Sequence, residues 1–169
     1  MKSKIQTWLN NKILRAVAEE IKNFSEEKKF IKELKKFLEN SEDWVWVAAP
    51  QAWFSKRIFL AKFDKEKTTV VINPKILEFS KEKVVWQEWC LSIPWVFWDV
   101  ERSKEVLVEY FDVKWNKLKL KIWWFWAIVF QHETDHLNWV LFFDKIVNWE
   151  FVMDEWMTEK DLEKLDIFI

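Results

Sequence analysis

The 169-residue chain contains no glycine and fifteen tryptophans. Glycine averages about 7% of residues in proteins, and it is the residue that adopts positive φ angles and tight turns with the least strain. A chain without glycine must place other residues at every left-handed turn and at every close approach of the backbone. This absence therefore limits the folds open to the chain more strongly than any other feature of its sequence.

Several tryptophans stand in sequence contexts that favour glycine. Trp115-Asn116 separates two runs of alternating residues, where Gly-Asn would predict a hairpin turn. Trp139 follows Asn138 just beyond a predicted helix, at the C′ position that glycine favours. Three further tryptophans, Trp123, Trp124 and Trp126, stand at the beginning of that helix.

We therefore hypothesise that each tryptophan stands for a glycine in the protein that the cell makes. A gene from a lineage that reads the UGA codon as glycine would give this sequence if UGA were translated as tryptophan. Deliberate replacement of every glycine would give the same sequence, and a tryptophan-rich core is the alternative interpretation. The mass of the natively expressed protein distinguishes glycine from tryptophan at these positions.

The length and composition suit one globular domain, which we expect to span residues 1–169. Half of the residues are hydrophobic and a third are charged, with 27 basic and 28 acidic side chains. The resulting net charge of −1 gives no electrostatic reason to expect binding to nucleic acid or to an anionic membrane.

The compartment is predicted from one cysteine and from the lack of long apolar segments. The single Cys90 excludes an internal disulfide and suits a reducing compartment. No apolar run approaches the roughly 20 residues that a membrane span needs, and the N-terminal residues lack the apolar stretch of a signal peptide. We expect a cytoplasmic protein.

Apolar spacing predicts four helices. The first covers residues 12–24, and the second begins with a cap at Ser25 and runs to about Glu39. The third covers residues 125–137, and its apolar neighbours indicate burial against strands. A pattern close to a capping box predicts a short C-terminal helix at residues 158–165.

Short apolar segments predict strands at residues 45–49, 57–63 and 68–72, and we expect Asn73-Pro74 and Pro94 to interrupt this pattern. Two alternating runs, residues 104–113 and 117–122, predict a hairpin. The sequence thus predicts an α+β fold. Short, mostly antiparallel strands surround one central helix, with an N-terminal helical region and a short C-terminal helix.

The strongest chemical signal is the run His132-Glu133-Thr134-Asp135-His136 in the third helix. Two histidines at positions i and i+4 project from one helical face and can bind one metal ion. The glutamate between them can address a water molecule bound to that ion. These are the only histidines in the chain, and the alternative interpretation is a structural pair satisfied by hydrogen bonds.

A catalytic metal site usually has a third protein ligand. Cys90 lies upstream in the run Glu88-Trp89-Cys90-Leu91-Ser92, although a lone cysteine is more often a small buried hydrophobe. The acidic residues downstream of the helix are also possible ligands: Asp144, Glu150, Asp154 and Glu155. The residue types alone leave the third ligand open.

Three motifs resemble those of the peptide deformylase family, which occur in the order GxGxAAPQ, EGCLS and QHExDH. They correspond here to residues 44–51, 88–92 and 131–136, and every departure is a tryptophan where the family has glycine. The resemblance extends from about Ile13 to Phe142 and covers most of the chain. It also supports the tryptophan-for-glycine hypothesis independently of composition.

The resemblance implies that Cys90, His132 and His136 bind one divalent metal ion and leave one position for water. Family members typically use Fe(II) in the cell and accept Zn, Ni or Co, whereas the ligand types alone would suggest zinc. Glu133 would take a proton from the water and deliver one to the departing amine.

The same resemblance gives two donors to the negatively charged oxygen of the tetrahedral intermediate. They are the side-chain amide of Gln51 and the backbone N–H of Leu91. The implied reaction removes the formyl group from the N-terminal formylmethionine of a nascent polypeptide, at the ribosome, and releases formate. No direct contact with nucleic acid and no membrane binding are expected.

The peptide would pair as an added strand near Val45 and Trp46. Ile128 and Val129, one turn before His132, would line a pocket for the methionine side chain, and simple core packing is their alternative role.

Three other polar residues are assigned supporting roles. Asp135 could orient a ligand or only support the helix, and Glu88 and Arg102 could form a structural ion pair.

Two other functions stay open at this stage. An HExxH peptidase with an acidic third ligand would keep its metal after the substitution Cys90→Ser. A metal-binding but inactive domain becomes the better interpretation if the tryptophans are real, because Trp46 and Trp89 would obstruct the peptide groove.

Overall fold

The structure is a computed structural model that describes residues 5–40, 44–64 and 67–147. Within them the chain forms two α-helices, α1 (Phe24–Glu39) and α2 (Phe125–Leu137). Seven strands follow in chain order: β1 (Trp46–Ala48), β2 (Ile58–Asp64), β3 (Lys67–Phe79), β4 (Lys83–Cys90), β5 (Ile93–Ser103), β6 (Glu105–Phe111) and β7 (Lys117–Trp123). The predicted α+β class is confirmed.

The strands form two antiparallel sheets. One has five strands in the order β1-β2-β3-β6-β7, and the other is the two-stranded β4-β5 hairpin. The predicted hairpin is β6-β7, in which Phe111 pairs with Lys117. In its turn the Asp112 carboxylate accepts the backbone N–H groups of Lys114 and Asn116, while Trp115 has a φ of 65°. The long β4-β5 hairpin was not predicted.

Helix α2 is buried against the larger sheet, as its sequence predicts. Phe130 is fully buried and packs edge-on against Phe59 of β2, with ring centroids 5.1 Å apart. The helix ends in a Schellman arrangement, because the N–H of Val140 donates to the carbonyl of Asp135 at 3.0 Å. Trp139 occupies the C′ position with a φ of 61°, where glycine is usual.

The predicted helix at residues 12–24 is wrong. Residues 12–23 form turns and isolated bridges, because their backbone groups bond to distant segments. The side chain of Asn73 binds both the N–H and the carbonyl of Ile21, each at 2.8 Å. Val17 pairs with Asn138 and is 60% exposed, so the apolar spacing does not mark one buried face.

Helix α1 begins at Phe24, and its cap is Asn23 rather than the predicted Ser25. The side-chain Oδ1 of Asn23 accepts the backbone N–H of Ser25, which satisfies one of the free donors of the first turn. The predicted end at Glu39 is confirmed.

The expected breaks at Asn73-Pro74 and Pro94 are also wrong. Strand β3 continues through residues 73 and 74, with a register shift against β6 between Ile72 and Lys75. A bulge of this kind tolerates a residue that has no N–H to donate. Pro94 is the second residue of β5, and proline is tolerated near the start of a strand.

Two further predictions concern a C-terminal helix and membrane-spanning segments. The C-terminal helix predicted at residues 158–165 lies outside the described residues. Neither helix of the described residues is long and apolar enough to cross a membrane.

Candidate metal centre

Three side chains from two elements meet beside helix α2. Cys90 is the last residue of β4, and His132 and His136 lie one turn apart on α2. Their donor atoms all lie within 4.8 Å of one another, and Cys90 Sγ is 3.1 Å from His136 Nε2. All three residues are buried. The structure thus brings together the three residues that the sequence analysis names as ligands.

The donor set fits a transition-metal ion. Thiolate sulfur and imidazole nitrogen bind zinc at about 2.3 Å and 2.0–2.1 Å, so three donors this close can share one ion. His132 Nε2 is buried and has no hydrogen-bond partner among the described residues. Buried polar atoms are rarely left without a partner, and a metal ion would provide one. Burial holds the pKa of His136 well below its usual range, which keeps this imidazole in the neutral form that binds metals.

Glu88 holds the imidazole of His132 in one orientation. Its Oε2 lies 2.8 Å from His132 Nδ1, and because an ionised carboxylate only accepts, Nδ1 carries the proton. Nε2 is then left for the ion. Although burial lowers the pKa of His132, the neighbouring Cys90 and Glu88 raise it well above its usual range, so this place favours positive charge. The contact between Glu88 and His132 was not predicted from the sequence.

Arg102 links this carboxylate to Asp135 of α2. Its Nε and Nη2 donate to the two oxygens of Glu88 at 2.7 Å and 2.9 Å, and its Nη1 donates to Asp135. The predicted Glu88–Arg102 ion pair is therefore present, and Asp135 also accepts from Lys145. Burial raises the pKa of Glu88, but its bonds with Arg102 and His132 outweigh burial and lower that pKa to about 2. Glu88 is therefore ionised at neutral pH.

Glu133 is fully buried between the two histidines in sequence. Its Oε1 lies 3.9 Å from His132 Nε2, and neither carboxyl oxygen has a hydrogen-bond partner among the described residues. Burial raises the pKa of Glu133 to about 8. A group with a pKa close to the working pH can both accept and deliver a proton, and this carboxyl stands beside the unpartnered nitrogen.

Gln51 presents its amide to the cysteine. It lies in the 3₁₀ turn Ala49–Ala52, and its Oε1 accepts the backbone N–H of Ala48 at 2.8 Å. This bond fixes the amide so that Nε2 lies 3.3 Å from Cys90 Sγ and 3.1 Å from Ser92 Oγ. Leu91 follows Cys90 at the tip of the β4-β5 hairpin. The structure brings Gln51 to the centre from a turn 39 residues before Cys90 in sequence.

The residues named for substrate binding lie beside the same centre. Trp46 is the first residue of β1, which ends the five-stranded sheet, and Val45 directly precedes it. Ile128 and Val129 are buried on α2 and line a small cavity together with His132 and Trp46. One edge of β1 therefore borders the cavity, and it pairs with no strand among the described residues.

The acidic alternatives for the third ligand do not join the centre. Asp144 binds Arg15 through both carboxyl oxygens and accepts the backbone N–H of Leu141. Glu150, Asp154 and Glu155 lie outside the described residues. Of the residues described, Cys90 is the one that completes a group of three donors with the histidines.

Comparisons with known proteins agree over most of the chain. Residues 3–151 match the sequence profile of the family described as polypeptide deformylase. The chain is 31% identical over 163 residues to peptide deformylase 2 of Gloeobacter violaceus. This alignment covers 94% of this chain and 87% of that protein.

Solved structures show the same likeness in the fold. The peptide deformylase of Thermotoga maritima has a TM-score of 0.80 and 35% identity, covering 88% of this chain and 99% of that chain. A peptide deformylase from Synechococcus elongatus, solved in complex with actinonin, has a TM-score of 0.80 and 32% identity, covering 98% of this chain and 86% of that chain.

Proposed function

The chain belongs to the peptide deformylase family, and from this premise we propose that Cys90, His132 and His136 bind its metal ion while Glu133 transfers the protons. The family's enzymes are metal-dependent hydrolases that remove the formyl group from an N-terminal methionine. The observation that supports this assignment of residues is the unpartnered, buried His132 Nε2 within a group of three donors.

A divalent ion bound by these donors would supply a water of lowered pKa and would polarise the formyl oxygen. Glu133 accepts the proton of the attacking water, because its carboxylate is buried beside His132 Nε2 and meets no competing donor among the described residues. It then delivers a proton to the nitrogen of the leaving amine as the C–N bond breaks. Formate and a free amino terminus leave.

Gln51 stabilises the negative charge that develops on the former formyl oxygen. Its Nε2 lies 3.3 Å from Cys90 Sγ, and its orientation is fixed by the bond from Ala48 to its Oε1. The backbone N–H of Leu91, next to Cys90, is the second donor. The loss of one such donor typically raises the barrier by about 3 kcal/mol.

Iron(II) is the ion that we propose for the protein in the cell, because the family typically uses it. The donors would also accept zinc, nickel or cobalt, since imidazole and thiolate suit all of these ions. Affinity for first-row divalent metals follows the same order at most sites, so the ion present depends on supply as well as on the ligands.

The substrate that we propose is a nascent chain that begins with formylmethionine. An extended peptide would add a strand to the open edge of β1 near Val45 and Trp46. Its methionine side chain would lie against Ile128 and Val129, which border the cavity at His132. Because ribosomes produce this substrate, we propose that the protein works on chains at the ribosome, in the cytoplasm.

Formate release from a formyl-Met tripeptide tests this proposal. The protein is prepared with glycine at all fifteen tryptophan positions, loaded with metal and compared with the matched variant Glu133→Gln. We expect release by the first protein and a loss of at least about 100-fold in the variant, with equal metal content in both. A folded, metal-loaded protein that releases no formate would contradict the assignment.

A further inference from the structure

Backbone geometry separates the tryptophans from other residues. Six non-glycine residues of the described part have positive φ, and one of these is Asn73. The other five are Trp8, Trp53, Trp115, Trp124 and Trp139, with φ between 57° and 81°. Fifteen of the 169 residues are tryptophan, so six positions drawn at random would include, on average, fewer than one tryptophan. Bulky residues are outliers in this region of φ, whereas glycine enters it freely.

Burial does not explain three of these five positions. The indoles of Trp53, Trp124 and Trp139 are 57%, 56% and 52% exposed. An exposed side chain gains little from burial, and it therefore cannot offset a left-handed backbone, which disfavours non-glycine residues by about 1–2 kcal/mol. At these three positions the backbone has a left-handed conformation, which glycine adopts with little strain.

A second group of tryptophans lies in the groove that leads to the metal centre. Its rings, which we call the groove cluster, belong to Trp46, Trp86, Trp89 and Phe125. The ring of Trp46 lies 6.0 Å from that of Trp89 and 5.6 Å from that of Phe125. The ring centroid of Trp86 lies 6.1 Å from that of Phe125, and Trp86 is 45% exposed, so it forms the outer rim of the cluster. Trp46 and Trp89 are the inner pair.

The groove cluster leaves little room in front of His132. The cavity that these rings line together with Ile128, Val129 and His132 has a volume of about 40 Å³. Pockets that bind small organic ligands usually measure about 300–1,000 Å³. The space present accommodates water or a small anion, and it does not accommodate a methionine side chain with its peptide.

We propose that positions 46 and 89 control access to the metal centre. The peptide enters the groove only when both of these positions carry glycine in place of tryptophan. This inference rests on the proposed function, because it concerns the groove of that same site. Glycine at both positions removes the two indoles that meet in front of His132. It also leaves the backbone of β1 free to approach an extended peptide.

The test needs a background that folds regardless of the groove. In this background the five left-handed tryptophans are replaced by glycine, which relieves strain outside the groove cluster. The open version adds Trp46→Gly and Trp89→Gly. The control adds Trp44→Gly and Trp123→Gly instead, which removes the same number of indoles at positions that do not line this cavity.

Each version is loaded with cobalt(II), and its visible spectrum is titrated first with formate and then with a methionyl tripeptide. We expect formate to change the spectrum of all three versions, because a small anion reaches the ion in each. The tripeptide should bind the open version at least tenfold more tightly than the background or the control.

The outcomes separate the inference from the function that it rests on. Equal tripeptide affinity in the open version and the background overturns the access role of positions 46 and 89. No tripeptide binding to an open version that binds cobalt and formate overturns it as well. Failure of every folded version to bind cobalt contradicts the proposed metal centre itself.

Discussion

At the scale of single residues, the metal centre depends on how Glu88 connects its parts. Glu88 and Cys90 are two residues apart on β4, and in a strand such residues face the same side. The carboxylate therefore reaches His132 Nδ1 at 2.8 Å while the thiol reaches the second histidine. An acidic residue two positions before a cysteine ligand was the signal in the sequence that could have revealed this bond.

The pKa of Glu88 predicts a dependence of stability on pH. Its pKa of about 2 in the folded state lies below the ordinary glutamate pKa of 4.5, so ionised Glu88 stabilises the folded state above pH 4.5. This contribution, on the order of 3 kcal/mol, is lost as the pH falls from 4.5 towards 2. We expect Glu88→Gln to lower the unfolding free energy of the metal-free protein at pH 7, and by much less at pH 3.

Urea denaturation of both metal-free proteins at pH 7, 5, 4 and 3 measures this difference. Lys83→Gln, an exposed change on the same strand, serves as the control. A stability difference between the parent and Glu88→Gln that stays constant over this range would show that Glu88 is not ionised as proposed.

Substitution of Cys90 tests the third ligand. We expect Cys90→Ser to lower metal affinity by more than the roughly 10- to 100-fold that loss of a hydrogen-bonded partner of a ligand costs. The measurement is metal content per chain after dialysis against a competing chelator. A serine variant that retains its metal like the parent would favour the HExxH peptidase reading with an acidic ligand.

At the scale of elements, the sequence predicts those parts whose partners are close along the chain. Helix α2 and the β6-β7 hairpin follow from local periodicity and a turn, and both are confirmed. Residues 12–23 have apolar residues at helical spacing, but the side chain of Asn73, 52 residues away from Ile21, takes their backbone groups. No local pattern contains that contact.

The strand breaks predicted from the prolines are wrong for a related reason. A proline in a strand is expected to break pairing, but the bulge around residues 72–75 places Pro74 where no N–H is required. That bulge depends on the pairing of β3 with β6, which lies more than thirty residues further along the chain. The two histidines, in contrast, are found from residue type and helical spacing alone, whereas Cys90 is named only through the family resemblance, and the structure places the three side chains together.

The C′ position of α2 tests the backbone argument at this scale. We expect Trp139→Gly to raise the unfolding free energy by about 1 kcal/mol, because the left-handed conformation disfavours tryptophan and the lost indole is largely exposed. For a chain of this length the melting temperature should rise by about 2–4 °C.

Phe59→Ala is the control, since Phe59 lies fully buried in β2 with its ring packed edge-on against Phe130. This control variant should lose about 3–5 kcal/mol of unfolding free energy, the usual cost of deleting a buried aromatic ring. A Trp139→Gly variant that is destabilised like the control would contradict the claim that this backbone position favours glycine.

At the scale of the whole molecule, a chain of the peptide deformylase family has an unusual composition, with fifteen tryptophans and no glycine. The two-sheet fold carries the cysteine on β4, the histidines on α2 and the amide on the turn after β1, and it brings all of them together at one end of α2. Five of the tryptophans occupy left-handed backbone positions, and three others line the groove in front of His132.

The intact mass of the natively expressed protein tests the identity of these positions. We expect a chain that is lighter than the printed sequence by the mass difference between fifteen tryptophans and fifteen glycines. A mass that matches fifteen tryptophans would refute the hypothesis and would leave the groove closed in the protein of the cell.

The dependence of formate release on metal is the sharpest test of the proposed reaction. The metal-free protein with glycine at the fifteen positions is titrated anaerobically with iron(II) while formate release from a formyl-Met tripeptide is measured. We predict that the rate rises with added iron and levels off at one ion per chain, and that Cys90→Ser and Glu133→Gln stay inactive at that ratio. Formate release without any metal, or full activity in either variant, would contradict the account.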